Sequence, residues 1–388
     1  MAWRIGIDIG GTFTDVVALD EASGAERVLK VSSTPGDPSK AFSEGVAQVL
    51  SDLAVDPADV TMIVHGTTVA TNAILEGRYA PLGLIVNRGF SHVLECARQT
   101  VPGDLGNILW WIKPARIVPL ELIREVTARL GADGEEMSPV DETEVRAIAR
   151  EYKQRGISAL AVSLLHSYRS PDHERRIRDV LLEEHPECFV SLSSDVIREY
   201  REYERTVSTC LNTGLMPEFS SYVGVLEERM TDNDMDAKLH IMQSSGGVAH
   251  APDLVSRPIA AALSGPAAGV IAACAIGADV GERDLLTLDM GGTSTDIALI
   301  EGGAPGLLSE GKIDIYDVKA PMIDMTAVGA GGGSIAWLTE AKGLRVGPQS
   351  AGASPGPVCY GRGGTAPTVT DANVVLGRIS PYLLGGLA

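Results

Sequence analysis

The stretch Ile5-Gly6-Ile7-Asp8-Ile9-Gly10-Gly11-Thr12-Phe13-Thr14-Asp15 decides the fold, because it occurs twice. The second copy is Leu286-Thr287-Leu288-Asp289-Met290-Gly291-Gly292-Thr293-Ser294-Thr295-Asp296. Each copy is an apolar run ending in Asp, then Gly-Gly-Thr, then a Thr-Asp pair that opens a second apolar run. Such a pattern reads as a buried strand, a tight glycine turn and a return strand. Two hairpins of this kind, one from each half of the molecule, can face each other across a cleft. Their glycine amides and threonine hydroxyls would then hold the phosphates of one nucleotide. This assigns Gly10, Gly11, Thr12, Thr14, Gly291, Gly292, Thr293 and Thr295 to nucleotide binding. Asp8 and Asp289 would sit where a magnesium ion and its waters need oxygen ligands, as in a phosphoryl-transfer site. A single Asp-x-Gly-Gly-Thr is an ordinary glycine hairpin, so the weight rests on the duplication. Neither copy leads into a Gly-Lys-Ser/Thr or a Gly-x-Gly-x-x-Gly helix start, which sets aside the Walker and dinucleotide fingerprints.

Working outward, 388 residues suffice for two or more lobes with substantial cores. Aromatic residues are only 5% of a chain that is 45% hydrophobic, so the cores are built of Ala, Val, Leu and Ile. A net charge of −19 argues against a nucleic-acid or anionic-membrane surface. It also means that a nucleotide must arrive with magnesium and meet a focused local site. Cys96, Cys188, Cys210, Cys274 and Cys359 are scattered without a Cys-x-x-Cys. They read as small core residues in a reducing, cytoplasmic compartment. The N-terminus enters a strand almost at once, which speaks against a signal peptide. No run approaches the ~20 apolar residues of a membrane span.

The pattern along the chain predicts three strands over 3–31, a helix over 38–53, a strand over 60–65 and a helix ending near Gly77. A buried strand follows at 82–86, and an edge strand at 123–130. Helix, strand and helix are expected near 141–155, 157–165 and 171–184. The alternation argues for an α/β fold with mixed sheets covered by helices. The longest helical pattern runs from Tyr200 through Met230, with a break expected at Pro217, and would bridge two lobes divided as 1–197 and 198–388. Ser264 reads as an N-cap before Pro266. Glycine is dense at Val328-Gly329-Ala330-Gly331-Gly332-Gly333-Ser334 and again over 347–364. In a chain with interleaved apolar and charged residues this means tight turns or backbone close to a ligand.

The duplicated hairpin resembles the architecture of actin, sugar kinases and heat-shock ATPases, in which two ribonuclease-H-like lobes close on ATP. Further segments narrow the likeness: His65-Gly66-Thr67-Thr68-Val69-Ala70-Thr71-Asn72-Ala73, Tyr200-Arg201-Glu202-Tyr203-Glu204-Arg205-Thr206, Gln243-Ser244-Ser245-Gly246-Gly247, Ser264-Gly265-Pro266-Ala267-Ala268-Gly269, Val328–Ser334 and Pro367-Thr368-Val369-Thr370-Asp371-Ala372-Asn373. Together they resemble the hydantoinase A / 5-oxoprolinase / acetone carboxylase family over essentially the whole chain. That resemblance implies ATP and Mg2+ as cofactors. It also implies phosphorylation of a lactam, imide or ketone enol oxygen, followed by hydrolysis or carboxylation, often with a hydantoinase B-type partner subunit.

Carried onto this chain, the resemblance places Asp8 and Asp289 at the magnesium or the acceptor. His65 ends a strand before Gly-Thr-Thr, at the edge where α/β ligand sites form. It is a catalytic candidate, with a buried structural histidine as the other reading. Asp324 precedes the glycine tract and is a candidate metal ligand or acid/base. Thr326 stands where the family often has His, and Ala327 where Thr is common, which weakens any histidine chemistry there. Asp371 and Asn373 belong to a family motif or simply form a turn. The irregular stretch from Gly103 to Pro114, with Trp110-Trp111, resembles the ketone-carboxylase branch. Family chains continue further, so the resemblance implies an N-terminal portion with weak nucleotide affinity by itself. Two rivals stand beside an ATP-coupled amide hydrolase or ketone carboxylase: a non-catalytic nucleotide sensor, and a kinase that releases a stable phosphorylated product.

Overall fold

A computed structural model describes residues 2–10, 13–34, 37–99, 101, 110, 116–313, 315–352 and 354–380. Gly11, Thr12 and most of the Gly103–Pro114 stretch lie outside the described residues. Trp110 is described and is 82% exposed.

The principal elements follow the alternating pattern closely. Strands β1 (Trp3–Ile9), β2 (Phe13–Asp20) and β3 (Glu26–Ser32) form an antiparallel meander. Helix α1 (Pro38–Leu53) crosses back to β4 (Val60–Gly66), which pairs parallel to β1. Period-two burial along β1 sends Ile5, Ile7 and Ile9 into the core and leaves Asp8 on the other face. After α2 (Val69–Leu75) come β5 (Leu82–Asn87), β6 (Ile123–Val126), α3 (Glu142–Gln154), β7 (Ala159–Val162), α4 (Asp172–Glu184) and β8 (Phe189–Leu192). These four strands make an all-parallel sheet in the order β8-β7-β5-β6, with β6 at its edge. Burial on both faces explains their continuous apolar runs.

Helix α5 (Glu202–Asp232) runs unbroken through Pro217, where an interruption was expected. Both halves are clamped by tertiary packing, which outweighs the lost backbone bond. Val207, Cys210, Leu211 and Leu215 join the core of the four-stranded sheet. Phe219, Tyr222, Val223, Leu226 and Met230 join the core beneath β1 and β4. The helix therefore couples two cores that are both built mainly from residues before it. Strands β9 (Lys238–Met242) and β10 (Val248–His250) then complete the first sheet, in the order β10-β9-β4-β1-β2-β3. Sheet membership thus does not change at the 197/198 boundary, because β9 finds its parallel partner in β4.

Helix α6 (Ser264–Val280) leads into the second hairpin, β11 (Leu285–Met290) and β12 (Thr295–Glu301). β12 also pairs with β13 (Ala304–Pro305) and with β14 (Met325–Val328). Its core is small: Ala267, Val270, Ala298, Ile300 and Ile323. A ribbon of β15 (Ser334–Leu338) and β16 (Leu344–Ser350) and the short helix α7 (Val369–Val375) follow. Cys188 and Cys210 are core residues as expected, whereas Cys96 and Cys359 are exposed; none of the five forms a disulfide. No helix among the described residues is long and apolar enough to cross a membrane.

Candidate active site

The two hairpins are built to one plan. Asp8 pairs with Asp15 across the first and Asp289 with Asp296 across the second. The Gly10 amide donates to the Phe13 carbonyl at 3.0 Å, and the Gly291 amide to the Ser294 carbonyl at 2.9 Å. Both turns therefore close with two residues, the geometry that glycine favours.

Helix α6 brings the two aspartates into one site. An added Cβ at Gly265 would lie 3.2 Å from Asp8 Oδ1, and one at Gly269 would lie 3.8 Å from Asp289 Oδ2. Four residues apart, Gly265 and Gly269 share one helix face, so both carboxylates look onto that face. Gly66 closes the other side of Asp8, where a Cβ would come within 2.8 Å of Oδ1. Ser264 fastens this arrangement. Its Oγ accepts from the Thr67 amide at 3.2 Å and donates to the Thr67 carbonyl at 3.0 Å. Ser264 is therefore not the N-cap that its sequence suggested. Leu263 holds that position, with φ of 60°, and its amide donates to Thr71 Oγ1 at 2.8 Å. The tie between Thr67 and Ser264 stands in for a cap and locks α6 to the end of β4.

Asp8 reaches solvent, yet backbone crowds its base. That enclosure first, then the Asp15 and Asp289 carboxylates, push its pKa up to about 6, against the lowering effect of Lys30. Burial first, then Asp289, also raises Asp296. Lys30 Nζ bonds both oxygens of Asp15 at 2.6 and 2.7 Å and lies 5.4 Å from the Phe13 ring centre. Four carboxylates thus share one ammonium among the described residues of this site. The mutual repulsion of Asp8 and Asp289 is what a divalent cation would relieve. Two carboxylates, with waters and phosphate oxygens for the rest, suit Mg2+. No cluster of three or more His, Cys, Asp or Glu side chains arranged to hold a metal occurs among the described residues.

The hairpin threonines divide into two roles. Thr14 Oγ1 is buried against Ser33 Oγ at 2.9 Å, and Ser33 Oγ donates to the Gly10 carbonyl at 2.7 Å. Thr295 Oγ1 is buried and donates to the Ala330 carbonyl. Both were expected to bind nucleotide; instead their hydroxyls brace the hairpins, because strand alternation turns them inward. At the turn of the second hairpin, Gly292 and Thr293 are exposed, and their amides have no hydrogen-bond partner among the described residues. The glycine tract serves as the backing of that turn. The amides of Gly332 and Gly333 donate to the carbonyls of Gly291 and Gly292 at 2.8 and 2.7 Å. A Cβ at Gly331 would meet Gly292 backbone at 2.7 Å. These glycines permit backbone to lie on backbone.

His65 is not brought to the site. Its ring is fully buried, with Nε2 2.7 Å from the Tyr222 hydroxyl and Nδ1 3.3 Å from the Ile7 carbonyl. Burial holds its pKa down at about 4, against a small raising effect from the Ile7 carbonyl. The reason is strand parity: His65 shares the core face of β4, opposite to the Asp8 face. Asp324 is exposed and precedes β14, its amide donating to the Gly306 carbonyl at 2.8 Å. It lies three residues before Ala327, which pairs with Asp296, so it is roughly 10 Å down the strand from the acidic cluster. Thr326 pairs with Ile297, and so lies on the face away from Asp289. Asp371 is a turn former. Its carboxylate accepts from the amides of Val358, Cys359 and Thr368 and completes a capping box with Thr368.

Lys30, Gly66, Gly265 and Gly269 belong to the site and went unassigned in the sequence. Signals for them existed. Hairpin register sets Lys30 beside Asp15, and the spacing of Gly265 and Gly269 marks one smooth helix face.

Paired Asp-bearing glycine hairpins flanking a small-residue helix define an actin-like ATPase fold. Comparison with known proteins places the chain more closely. The hydantoinase/oxoprolinase N-terminal region model matches residues 4–185, and the hydantoinase/oxoprolinase model matches residues 205–387. The chain belongs to the hydantoinase/oxoprolinase family. It is 37% identical to caprolactamase subunit alpha of Pseudomonas jessenii over 390 residues, covering 99% of this chain and 56% of that protein. It is 34% identical to the acetophenone carboxylase gamma subunit of Aromatoleum aromaticum over 396 residues, covering 97% and 53%. The crystal structure of the ATP-dependent caprolactamase from Pseudomonas jessenii superposes with a TM-score of 0.85 at 36% identity, over 99% of this chain and 56% of that one. The chain therefore spans just over half the length of these relatives.

Proposed function

We propose that this chain supplies the phosphate-binding hairpins of an ATP-dependent enzyme that activates the carbonyl oxygen of a cyclic amide for ring opening. The observation that carries the reading is the facing pair Asp8 and Asp289 across the glycine face of α6. An unstrained lactam resists water at neutral pH because its nitrogen lone pair is delocalised into the carbonyl. Attack of the amide oxygen on the γ-phosphorus breaks the bond to ADP and leaves a phosphorylated imidate. Water then adds at that carbon, the C–N bond breaks with the nitrogen leaving as amine, and a second water releases phosphate. In such a reaction the protein mainly positions groups and neutralises charge. The free amides of Gly292 and Thr293 and the ammonium of Lys30 supply donors and positive charge for phosphate oxygens. Asp8 and Asp289 would hold Mg2+ through its waters, and the ion would supply charge neutralisation. A partner subunit of the hydantoinase B type completes the enzyme on this reading, which the words "subunit alpha" and "gamma subunit" in the relatives' names support.

A second reading, ATP-dependent carboxylation of a ketone enolate, is favoured by the 34% identity to the acetophenone carboxylase gamma subunit. The test is phosphate release from Mg-ATP by the chain with its partner, adding hydantoin, 5-oxoproline or caprolactam, or acetone or acetophenone with bicarbonate. Stimulation by a lactam or imide with a ring-opened product is expected. Stimulation only by ketone with bicarbonate selects the second reading, and binding of ATP with no stimulation by any compound overturns both.

A further inference from the structure

The two copies of the hairpin differ in what covers them. In the first, Ile5, Ile7 and Ile9 are 1%, 3% and 3% exposed, beneath α1 and α5. The residues at the same places in the second copy are Leu286, Leu288 and Met290, and they are 62%, 64% and 54% exposed. The return strands repeat the contrast: Ala18 is fully buried, whereas its counterpart Leu299 is 53% exposed. These side chains form one continuous apolar face, because cross-strand partners share a face and Leu286 pairs with Leu299.

The backbone tells the same story. β1 is bonded on both edges, to β2 and to the parallel strand β4. β11 is bonded only to β12 among the described residues. The Gly291–Ser294 pair is hydrogen-bonded. Alternation then points the N–H and C=O groups of Met290, Leu288 and Leu286 toward the free edge. The free edge and the bare face thus belong to the same three residues. In a monomeric soluble fold such an edge invites strand addition.

We infer that this face is an interface for a helix followed by a strand, the helix lying across Leu286, Leu288, Met290 and Leu299 and the strand pairing parallel to β11. The first copy supplies the template, since α1 leaves β3, covers Ile5 and Ile7, and delivers β4 alongside β1. The occupant lies in the part of the relatives' length that this chain does not span, because the chain matches 99% of itself but only 56% of the caprolactamase chain. The opposite face of the second sheet is already taken by α6 through Ala267 and Val270. The bare face is therefore where further polypeptide must dock.

The test uses the 388-residue chain. In the L286S/L288S double variant the melting temperature should move by less than about 2 °C, while binding of an apolar dye falls several-fold. The matching I5S/I7S variant should lose its cooperative transition. Hydrogen exchange at the amides of Leu286, Leu288 and Met290 should be fast in this chain. At the equivalent strand of the full-length caprolactamase alpha subunit, measured alone, it should be slow. Unfolding by L286S/L288S would show that the face is already covered within the chain and would overturn the inference. So would a wild-type dimer that this variant dissociates, because the occupant would then be a second copy. Fast exchange in the isolated alpha subunit that slows only on adding its partner subunit would assign the face to that partner and overturn it likewise.

Discussion

Asp8 and His65 sit one strand apart and respond to acid in opposite directions. A carboxyl group whose pKa rises to about 6 on folding holds its proton more tightly in the folded chain. Its ionisation therefore costs stability as pH rises from about 4 to 6, and the cost is complete above that. Asp8→Asn should abolish substrate-stimulated phosphate release. It should also stabilise the ligand-free chain at pH 7 by about 1 kcal/mol, a value discounted for the solvent that reaches the carboxylate. Denaturation at pH 7 and near pH 4 checks this, since the gain should vanish at the lower pH. His65 is the reverse case. A histidine held down at about 4 in the fold and near 6.5 when unfolded contributes stability that is complete above pH 6.5 and is lost as pH falls toward 4. His65→Gln should remove a loss of about 3 kcal/mol between pH 7 and 4, read from urea midpoints. Its turnover at pH 8 should stay within a few-fold of wild type; a thousand-fold loss in a folded variant would return the ring to the chemistry.

At the scale of elements, α6 and the glycine tract do the positioning. Gly265→Ala improves helix propensity but intrudes on Asp8 Oδ1. The expected outcome is an unchanged or raised melting temperature with turnover reduced ten-fold or more. Gly331→Ala acts differently, since its methyl group would meet Gly292 backbone at 2.7 Å. It should destabilise the second hairpin by about 2 kcal/mol, a typical overpacking cost, and expose the amides of Gly332 and Gly333 to exchange. The sequence announced both elements through composition, and their tasks only partly. Glycine density signalled close backbone approach, and the neighbour proved to be the hairpin turn itself, whose carbonyls take the tract's amides. Ser264 carried the composition of a cap, but a partner distant in sequence, Thr67, claimed its hydroxyl.

At the scale of the molecule, the first hairpin rests in a full core and the second does not. A nucleotide gripped by both turns would be held firmly on one side only. Calorimetric titration of this chain with Mg-ATP should therefore give weak binding, in the range of tens of micromolar or higher, and a sub-micromolar Kd would show the second lobe to be functionally complete. The sequence by itself determined the two hairpins, the parallel sheet and the helices that alternate with it, because these follow from local periodicity and glycine turns. It also marked Asp8 and Asp289, because duplication sets functional residues apart from ordinary turns. Tertiary structure alone decided which candidates meet. Strand parity turned His65, Thr14 and Thr295 into the fold, register brought Lys30 to Asp15, and α6 set the two aspartates on one glycine face. Those outcomes depend on contacts between residues up to some two hundred positions apart, as between Thr67 and Ser264, and no local pattern encodes them.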